Sequence, residues 1–139
     1  DDEGWRSRWD AGSNLTTMAT GDGPYSGEMN TMLIVAGQNL GDGNGYSALS
    51  CAEFSSNIGG KIYSDWYLAS ISELTILHDN GATIEPALLD AGGFPFSLNP
   101  WWSSSEISST AAWVKQSTFA PVSAIKTTSS YTVRPIRSF

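Results

Sequence analysis

The stretch that decides the fold class is residues 113–136, WVKQSTFAPVSAIKTTSSYTVRPI. Runs rich in Val, Ile, Thr and aromatic residues alternate here with short turn signals, as expected for neighbouring strands. We predict strands over 113–119, 122–128 and 131–136, with turns at Ala120-Pro121 and Ser129-Ser130. The last third of the chain is therefore predicted to form most of an antiparallel sheet.

Helix signals precede this stretch. Ser70-Ile71-Ser72-Glu73 has the spacing of a capping box and predicts a helix that ends near His78. We predict two earlier helices, over 28–37 (capped by Asn30 or Thr31) and over 46–57. Three of the six prolines fall within 81–100, which is read as a loop with at most one helical turn. Helices in the first two-thirds followed by strands in the last third predict an α+β fold.

The N-terminal segment is expected to stand apart from the rest. Residues 1–19 are predicted to form an arm or short helix, and 20–139 to form a single domain. Trp5 and Trp9 are four residues apart and would share one helix face. That apolar pair needs a cover, which is either a partner chain or the body of the domain.

Length and composition limit the class of protein. The chain has 139 residues, of which 40% are hydrophobic, and this suits one domain with a real core. No apolar run approaches the roughly 20 residues that span a bilayer. Cys51 is the only cysteine, so an internal disulfide is impossible and a small buried side chain is expected. The chain shows no signal peptide and begins with Asp1, so a mature or excised product is expected.

Charge is distributed unevenly along the chain. The formal net charge is −7, yet all 14 Asp and Glu precede Ile107. The remaining tail has four cations, Lys115, Lys126, Arg134 and Arg137. Such a split predicts a cationic face, which can bind a polyanion that the net charge would repel.

The strand pattern leaves the arrangement of these cations open. A tight hairpin at Ala120-Pro121 would place Lys115 opposite Lys126, whereas a longer loop would give another register. Arg134 and Arg137 are three residues apart and would lie on opposite faces of a regular strand. In the simplest alternative these cations only solvate the surface, with Arg134 paired to Glu106 or Asp65.

Four sequence blocks, in a fixed order, resemble one family. They are Ser64-Asp65-Trp66-Tyr67-Leu68-Ala69-Ser70 with Ser72-Glu73-Leu74, then Trp101-Trp102-Ser103-Ser104-Ser105-Glu106, Ala112-Trp113, and Val133-Arg134-Pro135-Ile136-Arg137. Together they resemble the bacterial surface domains that include the C-terminal domain of the Legionella collagen-like adhesin. The similarity covers about residues 20–139. The chain departs from the family at Ala69, where proline is usual.

The resemblance implies properties that the composition does not. It implies a C-type-lectin-like fold and an extracellular location at a bacterial cell surface. It also implies a homotrimer and attachment to host sulfated glycosaminoglycans. A trimer would bring three copies of each cation together and add avidity.

The leading expectation is thus a non-enzymatic adhesin domain without cofactor or metal. Lys115, Lys126, Arg134 and Arg137 would bind the sulfates, with Arg6 and Arg8 as further candidates if the N-terminal arm builds the trimer. One alternative is a trimerisation or self-association module. Another is a lectin that stacks neutral sugars on Trp101 or Trp102.

Other functions have weaker support. A nucleic acid would be repelled by the net charge of −7, and no nucleic-acid motif is present. The loop 41–45 offers one carboxylate, Asp42, and lacks the ligand spacing of an EF-hand. Cys51 and His78 have no indicated third group, and no catalytic motif is found.

Overall fold

The helices of the described residues all lie between Gly27 and Asp90, and strands occur before, among and after them. The computed structural model describes residues 5–12, 14–96, 99–128 and 130–138. Within these residues the elements are β1 (Trp5–Arg6), α1 (Gly27–Gln38), α2 (Ser47–Ala52), β2 (Ser56–Ile58), β3 (Lys61–Tyr63), β4 (Tyr67–Leu68), α3 (Ile71–Asp79), α4 (Gly81–Asp90), β5 (Trp101–Glu106), β6 (Ala111–Lys115), β7 (Val122–Ile125), β8 (Thr132–Val133) and β9 (Pro135–Ile136). The predicted α+β class, with an antiparallel-rich sheet that includes the C-terminal strands, is confirmed.

The main sheet has five strands in the order β1-β8-β5-β6-β7. Its neighbours pair in antiparallel fashion except β5 and β8, which run parallel. Strands β2 and β3 form a separate hairpin, and β4 pairs with β9. The C-terminal third thus supplies four of the five strands in the main sheet, and the N-terminal segment supplies the fifth.

Strand β5 is the centre of the core, and all six of its residues are buried. Side chains alternate between the two faces of a strand, so Trp101 and Trp102 enter different clusters. Trp102 packs with Ile34 of α1, and Trp101 packs with Leu74 of α3. The sheet therefore lies between these two helices.

The serines of β5 satisfy backbone groups of neighbouring segments. Ser105 Oγ donates to the carbonyl of Gly21 at 2.8 Å and accepts from the amide of Ile71 at 3.0 Å. Ser103 Oγ donates to the carbonyl of Trp113 at 2.8 Å. Buried backbone groups need such partners, so these serines attach loops to the strand where an apolar residue could not.

The capping box at the start of α3 is confirmed. Ser70 Oγ accepts from the Glu73 amide at 3.2 Å, and Glu73 Oε2 accepts from the Ser70 amide at 2.7 Å. Ser70 Oγ also donates to the carbonyl of Gly23 at 2.6 Å, which fastens the loop before α1. This single residue thus fixes both a helix start and a distant loop.

The loop predicted over 81–100 is wrong in its first half. Helix α4 follows α3 directly, and the amide of Ile84 donates to the carbonyl of Asn80 at 3.0 Å. Pro86 lies inside this helix, where it removes one donor. Ile84 and Leu88 are one turn apart in this helix, and both line the surface groove described below.

Helix α1 has an unusual distribution of polarity. Its buried side includes Asn30, Thr31 and Gln38, which lie inside the helix, so neither Asn30 nor Thr31 caps it. Asn30 Nδ2 donates to Ser104 Oγ at 3.3 Å, and Thr31 Oγ1 accepts from the Leu68 amide at 3.0 Å. The predicted helix is confirmed, but its core side is largely polar.

The predicted N-terminal helix is wrong for the described part of that segment. Trp5 pairs with Val133 in the sheet, and Trp9 is fully buried in the core. The Trp9 amide donates to the Lys126 carbonyl at 2.8 Å, and its indole Nε1 donates to the Ser103 carbonyl at 2.8 Å. The core thus extends before residue 20, and residues 1–4 lie outside the described residues.

Two other predicted elements are shorter than expected. The helix predicted over 46–57 ends at Ala52, and its last residues enter β2. The strand predicted over 131–136 is divided into β8 and β9 at Arg134. Of the turn predicted at Ser129-Ser130, Ser129 lies outside the described residues.

Candidate ligand-binding groove

Lys126 is buried in an ion pair inside the protein. Its side chain is 0% exposed, and its Nζ donates to Glu106 Oε2 at 2.7 Å. The same ammonium donates to the Leu15 carbonyl at 3.1 Å and lies 4.3 Å from the ring centre of Trp9. Lys126 therefore links β5 to the N-terminal segment and presents no charge to a ligand.

Lys115 is also buried, with 2% of the residue exposed. Its Nζ donates to the carbonyls of Ser117 and Phe119, so the ammonium closes the loop between β6 and β7. A charged amine without such partners would be costly to bury. Its role in this structure is to hold the loop.

The two lysines do not face each other in the hairpin. Val114 pairs with Val122 and Ala111 with Ile125, so β7 begins after a loop of several residues. This is the longer-loop register, and it removes the predicted repulsion between Lys115 and Lys126. The expectation that both lysines form part of an exposed cationic surface is corrected, because both are buried with oxygen partners.

Arg134 and Arg137 both line one groove on the surface. Its walls are mainly apolar and aromatic, and it has a volume of about 590 Å³. The lining residues are Trp5, Phe54, Trp66, Leu77, Ile84, Leu88, Gly93, Phe94, Phe96, Val133, Arg134, Pro135, Ile136 and Arg137. This volume lies within the range of small-molecule sites in proteins, about 300–1,000 Å³.

Arg134 is fixed between aromatic rings. Its guanidinium lies 5.1 Å from the ring centre of Trp101 and 5.5 Å from that of Phe96. Its Nη2 donates to the Phe94 carbonyl at 2.9 Å. Burial lowers the pKa of Arg134, and the nearby Glu85 partly opposes this effect. Its expected partners Glu106 and Asp65 instead bind Lys126 and Arg137.

Arg137, the second arginine of the groove lining, is held by Asp65 and Tyr63. Its Nε and Nη2 donate to the two oxygens of Asp65 at 2.9 and 2.7 Å. The guanidinium lies 4.4 Å from the ring centre of Tyr63. The hydrogen bond from Arg137 is the main cause that lowers the pKa of Asp65, and the same bond raises the pKa of Arg137.

Three aromatic rings in contact with one another form part of the groove lining. Phe54 meets Trp5 edge-on at 5.0 Å and Trp66 at 5.1 Å between ring centres. The indole Nε1 of Trp66 donates to the Tyr63 carbonyl at 3.1 Å, which fixes that ring. Sequence reasoning placed no functional weight on Trp66 or Phe54, although Trp66 adjoins Asp65 in the Ser64–Ser70 block.

The tryptophans proposed for neutral sugars lie elsewhere. Trp101 and Trp102 are both buried in β5, with 1% and 0% exposed. Neither presents a ring face to solvent, so a neutral-sugar site on Trp101 or Trp102 is corrected. Trp5 is the exposed tryptophan of the groove, with 45% exposed.

The further candidates Arg6 and Arg8 are not part of the groove lining. Arg8 forms an ion pair with Asp42, which lowers the pKa of that carboxyl to about 2. Arg6 is exposed in β1, opposite Thr132 of β8. In this chain Arg8 therefore ties the loop that begins at Gly41 to the N-terminal segment.

Two residues considered for catalysis are both buried. Burial raises the pKa of the Cys51 thiol, so it stays protonated. Burial, helped by Lys115 and Arg134 and opposed by Asp79, lowers the pKa of His78 to about 4. His78 lies against Trp101 at 4.6 Å between ring centres, whereas Cys51 belongs to the other core cluster.

Metal and membrane features were sought within the described ranges. No group of three or more His, Cys, Asp or Glu side chains there could hold a metal ion. Nor does any helix in that part of the chain have the length and apolarity to cross a membrane.

Comparison with known proteins gives no relative on which to base a function. No family model, curated protein or solved structure matches the chain. The resemblance carried by the four sequence blocks therefore stays a prediction, and the geometry of the groove is the basis for the proposals that follow.

Proposed function

We propose that this chain is a non-enzymatic binding domain of an extracellular bacterial surface protein. Its ligand is an acidic saccharide of the sulfated glycosaminoglycan class, bound in the groove. We also propose that the fold is C-type-lectin-like within the α+β class. The supporting observation is that Arg134 and Arg137, two of the four predicted cations, line the same groove as Trp5 and Trp66.

The chemistry of the two arginines suits sulfate or carboxylate groups. A guanidinium offers paired donors to such an anion, and its charge shortens and strengthens the hydrogen bonds. Tyr63 and Trp101 hold the guanidinium groups in place, so little side-chain freedom is lost when a ligand binds. The arginines thus supply recognition of the acidic groups.

The apolar walls suit the sugar rings. Trp5 and Trp66 are rigid, and they lose little conformational entropy when a ring packs on them. Salt does not screen such contacts, whereas contacts between arginine and an anion weaken as salt screens them. The proposed binding therefore combines ionic contacts that salt weakens with ring-packing contacts that salt does not screen.

Heparin affinity chromatography with a salt gradient tests this proposal. We expect Arg137→Gln to elute at lower salt than the wild type, and Trp66→Ala to weaken retention with less effect on its salt dependence. Arg8→Gln is the matched control, because it removes a half-buried, ion-paired arginine that does not line the groove. If the wild-type protein fails to bind heparin even at low salt, the proposal is refuted.

A second candidate function is self-association through α1, as a homotrimer. The outer side of α1 exposes Met29, Met32 and Leu33, with Met32 at 68% exposed. Between Asp22 and Asp42 the only charged residue is Glu28. A second copy is the favoured cover, because two chains of net charge −7 repel least where their surfaces carry little charge.

Sedimentation velocity tests this candidate. We expect the wild type to form a trimer at micromolar concentration and Met32→Glu to shift it to monomer. Thr16→Glu, at an exposed position outside α1, should leave the assembly unchanged. A monomeric wild type throughout the concentration range would rule out α1 as a self-association surface.

A further inference from the structure

The segment between β3 and β4 places a carboxylate against the arginine of the groove. Asp65 Oδ1 and Oδ2 accept from Arg137 Nε and Nη2, at 2.9 and 2.7 Å. These are adjacent donors on one edge of the guanidinium. A carboxylate or sulfate of a ligand would seek the same edge, because it permits two parallel hydrogen bonds.

The pair is exposed enough for exchange. The Asp65 side chain is 57% exposed, and that of Arg137 is 17% exposed. Water and salt screen such a pair, so it adds little to stability. If an anion takes its place, Asp65 turns into solvent and no buried charge is left without a partner.

Arg137 has a support that does not depend on Asp65. Its guanidinium lies over the ring of Tyr63 at 4.4 Å. The ammonium of Lys61 lies 5.0 Å from the centre of the same ring. Lys61 and Arg137 therefore place two cations around Tyr63, and both remain there when the Asp65 side chain turns away.

We propose that Asp65 is an internal competitor for the acidic group of the ligand. Without ligand it occupies the paired donors of Arg137, and the acidic group of the saccharide replaces it on binding. This inference rests on the proposed function of the groove, and it names Asp65 as the residue that sets the affinity of that site. A neutral saccharide has no acidic group to compete for these donors, so removal of Asp65 should raise the affinity for acidic ligands and leave that for neutral ones unchanged.

The test is the dissociation constant of a heparin-derived oligosaccharide, measured by calorimetry at one low salt concentration. Asp65→Ala removes the competitor, and we expect it to bind about three- to tenfold more tightly than the wild type. Asp22→Ala is the matched control, because it removes an exposed carboxylate outside the groove lining. It should show only the small gain that comes from one less negative charge.

Two more variants separate competition from a structural effect. Asp65→Asn keeps the shape but weakens the hold on Arg137, and we expect an intermediate gain. The double variant Arg137→Gln/Asp65→Ala should gain no more over Arg137→Gln than Asp22→Ala gains over the wild type, because the donors for which Asp65 competes are absent. A damaged fold would weaken binding rather than tighten it. Circular dichroism checks independently that each variant is folded.

The outcomes distinguish this inference from the proposed function. If the wild type binds and Asp65→Ala binds no better than Asp22→Ala, the competitor role is refuted while the function stands. If the wild type binds and Asp65→Ala binds clearly more tightly than Asp22→Ala, both the function and the competitor role are supported. If neither binds the oligosaccharide, both the function and the competitor role are refuted.

Discussion

Glu106 is the last carboxylate of the chain, and its partner Lys126 lies in the cationic tail. The Glu106 carboxylate also accepts from the amide and hydroxyl of Thr17, both at 2.9 Å. These bonds replace water around a buried charge, which is the condition under which such a pair is tolerated. At this position the charge split of the sequence reflects an internal contact rather than a surface.

Removal of one partner of this pair should be costly. We expect Lys126→Met to lower the free energy of unfolding by about 3–5 kcal/mol, because it leaves the Glu106 carboxylate buried without its cation. Urea unfolding followed by tryptophan fluorescence measures the loss. Lys61→Met is the control, and the expected change is within about 0.5 kcal/mol because that lysine is exposed. Equal losses in the two variants would contradict the assigned role of the pair.

His78 should make stability depend on pH. Its pKa in the folded protein is about 4, against 6.5 as the ordinary value. Between these pH values the unfolded chain binds a proton that the folded chain does not, so the free energy of unfolding falls as pH falls. The full loss is about 3 kcal/mol, and it is complete only below pH 4.

His78→Phe isolates this contribution. Urea unfolding at pH 7 and pH 4 should show a smaller fall for the variant than for the wild type. Carboxylates titrate in both proteins, so the difference between the two falls reports on His78. An identical fall in both proteins would mean that His78 is protonated as readily in the folded protein as in the unfolded chain.

At the scale of elements, local signals succeeded where the partners are close in sequence. The Ser70–Glu73 spacing predicts α3 because both partners lie in the same helix turn. Pro86 suggested a loop, but α4 forms with this proline inside it and places Ile84 and Leu88 in the lining of the groove. The position of a helix in the fold is a tertiary property, which local propensity does not contain.

The start of α3 is the element with the clearest test. We expect Ser70→Ala to lower the free energy of unfolding by about 1–2 kcal/mol, because it removes the cap and the bond to Gly23. Ser72→Ala, two residues later in the same turn, is the control and should cost much less. Chemical denaturation at pH 7 compares them, and a larger loss at Ser72 would contradict the capping role.

At the scale of the whole molecule, the two ends of the chain meet in one sheet. Trp5 of β1 pairs with Val133 of β8. The spacing of Trp5 and Trp9 gave no sign of this, because a pairing partner more than a hundred residues away leaves no local pattern. The α+β class and the C-terminal strands could be predicted, but the place of the first strand could not.

The same separation limited prediction of the site. Four cations were identified from composition, but burial of Lys115 and Lys126 depends on oxygens supplied by the fold. Arg134 and Arg137 reach the groove because the strand breaks between β8 and β9. A regular strand would have turned them to opposite faces.

Two tryptophan substitutions test whether the N-terminal segment is part of the core. We expect Trp9→Ala to lower the free energy of unfolding by about 3–5 kcal/mol, because the ring is fully buried. Trp5→Ala should cost less than about 1 kcal/mol, since this ring is partly exposed at the groove. Thermal unfolding separates them. A loss for Trp9→Ala as small as that expected for Trp5→Ala would show that residues before Asp10 contribute as an arm rather than as part of the core.

The burial of two lysines also determines which amines of the native protein an amine-directed reagent can reach. Of its three lysine side chains, Lys61 is exposed, while Lys115 and Lys126 are shielded and hydrogen-bonded. Among the lysines, an amine-directed acylating dye should therefore attach at Lys61 in the folded state and at all three after unfolding. Because Lys61 lies over Tyr63, which also carries Arg137, the dye would stand at the rim of the groove. The fold thus provides a reporter position for ligand exchange without an engineered residue.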